Sequence, residues 1–264
     1  MHNYHDTYKL LPYGAWNYYK TWQVAILPYI EQQSLFDLYP KGDPWVYPYS
    51  STPALVVTGV RLAACQCPSD IPRTLGGTAA SQVITMNNYA VNWGNTGYLS
   101  ESTGPALNAF GETFAGAPFV MKGSSSLPPE CVTFSGILDG LSNTLMYAEL
   151  IQCQRSAAGV MDVRGMTWWG LSAGFTTRLG PNSNLPDIVY QSTYCNNQPP
   201  NPPCENVAWS SPDRPLGFAA RSRHPGGVNA GFCDGSVRFV SETIAIRTWR
   251  SLSTTYGKEA IGDY

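Results

Sequence analysis

The stretch SRHPGGVNAGFCDGSVRFV, residues 222–240, carries the clearest structural pattern in the chain. Val228, Ala230 and Phe232 alternate with small or polar residues, and the same alternation returns after Asp234 and Gly235. A period of two is typical of a β-strand with one buried face. An Asp-Gly pair between two such runs is a strong signal for a hairpin. The stretch therefore predicts a β-hairpin near the end of the chain.

This hairpin would separate its histidine from its aspartate. His224 precedes the first arm and Asp234 follows it, so a fully extended arm would place them about 30 Å apart. That separation argues against a joint catalytic role. We interpret His224 as a residue that fixes the loop before the strand, and Asp234-Gly235 as a type I′ turn.

Bulk composition limits the class of protein. The chain has 264 residues, of which 43% are hydrophobic and 13% are charged, which is enough apolar material for a core. Its formal net charge is -2 and no block of Lys or Arg occurs, so a nucleic-acid partner is not expected. No stretch reaches the roughly 18 apolar residues that a membrane span requires, and no signal peptide opens the chain.

Cysteine usage favours an oxidising compartment. The chain has 7 Cys, and CQCPSD and CNNQPPNPPC each hold two of them. Closely spaced thiols in a reducing cell would suggest a metal site, but the C-x-x-C spacing or adjacent histidine that zinc sites show is missing. Disulfides are therefore favoured. Cys195–Cys204 is the first candidate pair, and Cys233 is expected as a buried free thiol. The other disulfide candidates are Cys131, Cys153, Cys65 and Cys67.

The remaining segments predict a single α+β domain over residues 1–264. Residues 20–40 predict a short amphipathic helix in which Pro28 lies either at a kink or in the first turn of a second short helix. Residues 83–94 predict a strand that ends at Gly94. Asp139-Gly140 predicts a second hairpin, with a helix that begins near Ser142 as the alternative. Residues 82–153 and 222–241 would form the sheet core, residues 1–40 the helical region, and residues 95–129 and 154–221 loop-rich insertions.

Signals for catalysis or a cofactor are weak. The chain has neither a G-x-S-x-G motif nor a phosphate-binding loop, so we expect no enzyme. Calcium could use the carboxylates of Asp234, Asp139, Asp70 and Glu149, but no D-x-D-x-D loop is present. Turns are therefore favoured over metal at both Asp-Gly pairs. We therefore expect no cofactor, and a bound calcium ion is the alternative.

Aromatic content leaves two interpretations open. The chain has 8 Trp and 16 Tyr, whose flat faces stack on saccharides in some proteins. Aromatic residues also fill cores and protein–protein interfaces. If they bind glycans, the face would be formed by the loops between residues 94 and 129 and between Trp168 and Trp209.

Six segments together resemble one known family. HNYHDTY, LPYIEQQSLFDLY, CPSD, NNYAVNWG, ILDGLSNTLMYAE and the stretch at residues 222–240 occur in that order. This order is similar to that of the planctomycete-type prepilin-like proteins of unknown function, which carry a C-terminal H-x9-D-G motif. The positions that match its signatures are His224, Asp234, Gly235, Asp139, Gly140, Ser142, Asn143 and Thr144.

The resemblance implies the head of a type IV pilin-like protein, with an N-terminal helix packed on an antiparallel sheet. Members of that family begin with a prepilin leader and a hydrophobic helix, which this chain lacks, and membrane contact would occur only through that helix. The implied function is a structural subunit of an extracellular, cell-surface or periplasmic assembly. Such a filament, pseudopilus or surface layer would contain copies of this chain or other pilin-like subunits. The alternative is a surface-displayed binding module for polysaccharide. The signature residues are expected to be structural, with no catalytic residue among them.

Overall fold

The computed structural model describes residues 1–16, 19–40, 46–48, 50–76, 83–97, 112–122, 130–156, 160–207 and 216–259. These residues form a mixed fold of short helices and several small sheets. Most of the insertion expected at residues 95–129, and Trp209, lie outside the described residues. The α-helices are α1 (His2–Tyr8), α2 (Trp22–Ile26), α3 (Gln33–Leu38), α4 (Thr52–Thr58) and α5 (Ile246–Ser251). The strands are β1 (Ala15–Trp16), β2 (Lys20–Thr21), β3 (Thr74–Gly76), β4 (Val83–Thr85), β5 (Tyr89–Asn92), β6 (Met121–Lys122), β7 (Leu145–Glu149), β8 (Gly174–Phe175), β9 (Asp187–Val189), β10 (Cys204–Asn206), β11 (Gly227–Phe232) and β12 (Val237–Ser241).

The largest sheet has five strands in the order β12-β11-β7-β5-β8. Its first four strands pair antiparallel, and β8 adds to β5 in parallel. The smaller sheets are β2-β1-β6, β3-β4 and β10-β9. The large sheet therefore draws its strands from the predicted core segments, with one short strand from the loop-rich segment at residues 154–221.

The predicted C-terminal hairpin is present, but its turn differs from the prediction. Strands β11 and β12 pair antiparallel from Gly227–Ser241 to Gly231–Val237. Gly235 has a φ of 89°, whereas Asp234 is not among the residues with positive φ. The backbone N–H of Gly235 donates to Phe232 O, and that of Phe232 donates to Ser236 O. The connection is therefore a three-residue loop with a left-handed glycine, not the two-residue type I′ turn.

The predicted N-terminal helix is interrupted at the proline. Helix α2 passes into a 3₁₀ turn at Leu27–Ile30, which contains Pro28, and α3 follows after a break. Glu31, which ends the 3₁₀ turn, has a φ of 62°. A proline lacks the N–H that would continue the α-helical ladder, so the chain divides into short segments here. All five residues of α2 are buried.

The strand predicted over residues 83–94 is wrong as a single element. It divides into β4, which pairs with β3, and β5, which lies in the large sheet. Between them, Asn87 N–H donates to Gly165 O and Asn88 N–H donates to Cys65 O. These long-range partners take the backbone donors that a continuous strand would use in its ladder.

The second predicted hairpin, at Asp139-Gly140, is also wrong, and the helical alternative is closer to the structure. Gly140 has a φ of 94° and precedes a 3₁₀ turn at Leu141–Asn143, which leads directly into β7. A short 3₁₀ turn at Phe134–Gly136 lies before it. The left-handed glycine thus starts a helical turn here and does not reverse one strand onto another.

Large aromatic side chains fill the core. Trp168, Trp249, Phe175 and Phe232 are fully buried. The indole N–H of Trp249 donates to Leu179 O, so its polar atom is satisfied inside the core. Within the described part of the chain, every helix is too short or too polar to cross a bilayer.

Candidate functional site

His224 lies in contact with two residues from distant segments. Its Nε2 atom is 3.4 Å from Cys67 Sγ and 3.1 Å from Glu149 Oε1. One ligand-type atom from each of the three residues lies within 4.8 Å of the others. We call these three residues the His224 cluster. Cys67 and Glu149 are buried, and the side chain of His224 retains 25% exposure.

Glu149 is held in place by the neighbouring strand. It is the last residue of β7 and is 1% exposed. Its Oε2 accepts the backbone N–H of Asn229 on β11 at 2.7 Å, and its Oε1 accepts the Asn229 side-chain amide at 3.3 Å. Because both oxygens have N–H donors, the buried carboxyl group is satisfied and its orientation is fixed.

Cys67 follows a 3₁₀ turn at Ala63–Cys65. Its backbone N–H donates to Asn88 Oδ1 at 2.9 Å, which fixes the thiol beside the end of β7. Burial raises the pKa of the Cys67 thiol, and the nearby carboxylate of Glu149 raises it further. The thiol is therefore protonated at neutral pH in the absence of another ligand.

The His224 cluster does not have the geometry of a nucleophilic triad. In a triad, one imidazole nitrogen contacts the nucleophile and the other contacts the carboxylate. Here the same Nε2 atom contacts both Cys67 and Glu149. A catalytic cysteine also needs a lowered pKa, whereas the pKa of Cys67 is raised. The arrangement brings a sulfur, an oxygen and a nitrogen atom of the types that bind metals close together, and it does not activate the Cys67 thiol as a nucleophile.

An ion pair lies next to the His224 cluster. Arg223 Nε donates to Asp70 Oδ1 at 2.5 Å, and the same oxygen accepts Ile71 N–H. The other carboxylate oxygen accepts Asn88 Nδ2 at 2.6 Å and Gln152 N–H at 2.8 Å. Four donors thus surround Asp70. These contacts attach the segment that carries His224 to the CPSD segment.

Asp234 and Gly235 lie in the turn at the far end of β11 from His224. Asp234 Oδ1 accepts both the backbone N–H and the hydroxyl of Ser236, and these hydrogen bonds lower the pKa of Asp234. Both residues are exposed. The structure does not bring Asp234 to His224, and the contacts of Asp234 are those of a turn residue.

The second signature, residues 139–144, holds the C-terminal segment. Asp139 Oδ2 accepts Thr254 Oγ1 and Gly257 N–H, and Oδ1 accepts Lys258 N–H, each at 2.8 Å. Thr144 Oγ1 contacts Thr254 O at 3.2 Å. These contacts use both carboxylate oxygens to fix the segment after α5.

Ser142 and Asn143 also make local contacts. Ser142 O accepts Arg238 Nη2 at 3.2 Å, and Asn143 Nδ2 reaches Asp139 O at 3.5 Å. Gly140 supplies the positive φ that lets the backbone turn between Asp139 and the 3₁₀ turn. This part of the motif connects β7 to the C-terminal hairpin.

One disulfide is present among the seven cysteines. It joins Cys195 and Cys204, the pair expected first, across a separation of nine residues. Cys233 is a buried free thiol. The other disulfide candidates, Cys65, Cys67, Cys131 and Cys153, form no disulfide, so the bridges expected for them are absent.

A buried charge network supports the region around that disulfide. Asp187 accepts from Arg221 and Arg164, and Arg164 also pairs with Asp162 at 2.6 Å. All four side chains are at most 5% exposed. Buried charges are tolerated only when paired in this way, so the network fixes these loops relative to one another.

Residues of the large sheet line a cleft of about 440 Å³. The lining includes Tyr89, Tyr147 and Asn229 from the sheet, and also Trp22 and Met1. Asn229 also contacts Glu149, so the cleft lies beside the His224 cluster. The walls are mainly apolar and aromatic.

Sequence reasoning found His224 but missed its partners. The sequence makes Cys67 a disulfide candidate and Glu149 a candidate calcium ligand, and it connects neither residue to the histidine. A signal was present: CPSD contributes Cys67, the segment ending MYAE contributes Glu149, and the H-x9-D-G segment contributes His224. Three of the segments that carry the family resemblance thus each supply one member of the His224 cluster.

Residues 1–247 match the family model SBP_bac_10, which is described as "Protein of unknown function (DUF1559)". The match covers most of the chain, so the protein belongs to this family. No curated protein matches the chain, and no solved structure matches it.

Proposed function

We propose that this protein is a structural subunit of an extracellular or cell-envelope assembly, in which it forms a pilin-like head and has no catalytic role. One observation carries the proposal. The polar signature residues His224, Asp234 and Asp139 all bond to the chain's own groups: the His224 cluster, the hairpin turn and the C-terminal segment. Residues used in this way maintain a scaffold and present no reactive group to a substrate.

The edge of the large sheet supports an assembly role. Strand β12 pairs with β11 and, among the described residues, has no partner on its other side. Val237 and Phe239 lie on the same face of β12 and are 60% and 53% exposed. Monomeric proteins usually protect such an apolar edge strand, because it pairs readily with another chain. We propose a second copy of this subunit as the occupant of this edge.

Two further features support the proposal, one for an extracellular setting and one for close packing of copies. The Cys195–Cys204 bridge is of a kind that persists in oxidising compartments. Only 13% of residues are charged, so charge repulsion between closely packed copies is small.

Sedimentation velocity over a range of protein concentrations tests the proposal. Wild-type protein should associate as concentration rises, and the double variant Val237→Thr/Phe239→Thr should shift the association to higher concentration. Threonine keeps the strand propensity of these positions but removes apolar area. Leu185→Thr is the matched control, because Leu185 is 60% exposed but lies outside the sheet. Wild-type protein that stays monomeric at every concentration would contradict the proposal.

A polysaccharide-binding module is the second candidate, and the cleft favours it. Tyr89 and Tyr147 present half-buried rings there. The face first considered is less suitable, because Trp168 is 0% and Trp169 is 6% exposed. A glycan array tests this candidate: binding that Tyr147→Ala abolishes supports it, and the absence of binding at millimolar glycan contradicts it.

A further inference from the structure

We propose that Cys67, Glu149 and His224 form a binding site for one zinc ion. The ligands would be the Cys67 thiolate, the Glu149 carboxylate and the His224 Nε2 atom. This inference goes beyond the proposed structural function, since an assembly subunit needs no metal and the metal requires no assembly.

The distances fit a metal site. Tetrahedral zinc with bonds of about 2.0–2.3 Å requires neighbouring ligand atoms about 3.3–3.6 Å apart. Cys67 Sγ and His224 Nε2 are 3.4 Å apart, and His224 Nε2 and Glu149 Oε1 are 3.1 Å apart. The three ligand-type atoms lie within 4.8 Å of one another. Shifts of a fraction of an ångström in these two contacts, and of at most about 1.3 Å between Cys67 Sγ and the Glu149 oxygen, would complete the ligand triangle.

The contact of one imidazole nitrogen with both Cys67 and Glu149 also fits a metal site. In a hydrogen-bonded chain, a single Nε2 can donate to one partner or accept from one partner, so it does not serve both neighbours equally. A metal ion at the centre would use the Nε2 lone pair, the sulfur and the carboxylate oxygen together.

The chemistry of the three ligand groups favours zinc over calcium. Thiolate and imidazole ligands suit zinc, whereas calcium takes oxygen ligands only. The Cys67 thiol would lose its proton to solvent when the Zn–S bond forms, since the thiolate is the metal-binding species. The ion's charge would then offset the two negative charges of the thiolate and Glu149.

Hydrogen bonds hold the segments that carry the three ligands. Asn88 Oδ1 accepts the backbone N–H of Cys67, the Ser222 hydroxyl accepts the backbone N–H of His224, and the backbone N–H of Asn229 donates to the second carboxylate oxygen of Glu149. Such outer contacts orient the ligands of metal sites and raise metal affinity.

Zinc would join three distant parts of the chain. Cys67 belongs to the segment after the Ala63–Cys65 turn, Glu149 ends β7, and His224 precedes β11. A ligand that binds the folded state alone stabilises it, so zinc should raise the resistance of the protein to unfolding.

Cobalt(II) absorption and zinc calorimetry test this proposal. Untagged protein is freed of metal with a chelator, and the titrations are performed in oxygen-free buffer without added thiol. Wild-type protein should bind one Zn²⁺ per chain, and Co²⁺ should give the near-ultraviolet band of a cobalt–thiolate bond together with visible bands of a tetrahedral ion. The absence of a cobalt–thiolate band in the folded wild-type protein would overturn the proposal.

Matched variants assign the ligands. Cys67→Ser should remove the cobalt–thiolate band, and His224→Gln and Glu149→Gln should each weaken zinc binding at least about tenfold. Cys131→Ser and His5→Gln are the controls, since Cys131 is a free thiol and His5 lies on α1, both outside the His224 cluster. Circular dichroism verifies that each variant is folded before titration. Unchanged binding in folded Cys67→Ser or His224→Gln would overturn the proposal, as would weakened binding in the two controls alone.

Discussion

The Nε2 atom of His224 lies 3.4 Å from the Sγ atom of Cys67, although the two residues are 157 positions apart in the chain. Glu149 completes this contact from a third segment. The histidine of the H-x9-D-G motif therefore faces the end of β7 and the CPSD segment, and it does not face the aspartate of its own motif. Through these contacts, His224 connects its own segment to two distant segments of the chain.

Replacement of His224 by Gln should destabilise the protein. The variant loses the contacts to Glu149 and Cys67 and leaves a buried carboxyl group with fewer partners, so we expect a loss of about 1–3 kcal/mol in the free energy of unfolding. Urea denaturation of metal-free protein measures it. His5→Gln is the control, because the His5 ring accepts a long hydrogen bond, at 3.4 Å, from the Phe134 backbone N–H, and its loss should cost less. A His224→Gln variant as stable as wild type would contradict a structural role.

Replacement of Asp139 by Asn should loosen the C-terminal segment. The carboxylate accepts two backbone N–H groups and a hydroxyl, and an amide has one acceptor oxygen fewer. We expect a loss of about 1–3 kcal/mol in stability and faster amide hydrogen exchange at Gly257 and Lys258.

Asp234→Asn is the matched control for this variant. Asp234 also precedes a glycine, but it is exposed, and the hydrogen bonds of its carboxylate go to Ser236 and not to the C-terminal segment. The exchange rates at residues 257 and 258 should not change in this control. If both variants accelerate exchange at these residues equally, the hydrogen bonds of Asp139 do not hold the C-terminal segment as described.

Stability should fall in acid because of Asp187. Burial alone would raise the pKa of Asp187, but the guanidinium groups of Arg221 and Arg164 outweigh this effect and hold the pKa below its ordinary value. A lowered pKa means that the stabilisation is complete above about pH 4 and is lost as the pH falls through the folded-state pKa. Denaturation of wild-type protein between about pH 6 and pH 2 should show this decline.

Asp187→Asn provides the corresponding variant. It should cost about 3–5 kcal/mol near neutral pH, because two buried arginines lose a charged partner. It should also flatten the decline below about pH 4, whereas Asp6→Asn, on the exposed side of α1, should leave the decline unchanged. An unaltered acid profile in a folded Asp187→Asn variant would show that other carboxylates cause the decline.

Gly231 should not tolerate a side chain. It lies opposite Tyr147 in the sheet, and a Cβ atom there would collide with the tyrosine ring. Gly231→Ala should therefore cost about 1–3 kcal/mol of stability, as other overpacked sites do. Gly180→Ala is the control, because nothing lies within 4 Å of the added carbon. Equal melting temperatures for the two variants would contradict the packing described for this face.

The cysteine chemistry is also testable. Denatured, unreduced protein should take up five alkyl groups, since five of its seven cysteines are free. Loss of the bridge in Cys195→Ser/Cys204→Ser should cost about 2–3 kcal/mol, the value expected for a loop of this length. Mass spectrometry and urea denaturation provide the two measurements, and seven alkyl groups on the denatured, unreduced protein would refute the bridge.

Local patterns predicted those parts of the fold whose partners are close in sequence. The hairpin β11–β12 joins neighbouring segments, so alternation and one glycine sufficed to find it. The strand over residues 83–94 was wrong because Asn87 and Asn88 bond to Gly165 and Cys65, which no local pattern shows. Strand β8 has only two residues, so it is too short to show the alternation of buried and exposed residues that predicts a strand.

The site was predictable in part for the same reason. His224 stands out as a histidine beside a strand pattern, so sequence reasoning selected it. Its partners lie 157 and 75 positions away, and their contact depends on the register between β7 and β11. Asp139 was assigned to a turn for its glycine neighbour, while its main contacts are with residues 115 or more positions later.

We propose that this protein assembles with copies of itself through strand β12 of its large sheet. Electron microscopy of assemblies isolated from the native cell surface is the decisive test. We expect an ordered filament or lattice in which β12, with Val237 and Phe239, lies at the contact between copies. Protein that is present at the surface as isolated monomers, or an assembly in which β12 faces solvent, would contradict it.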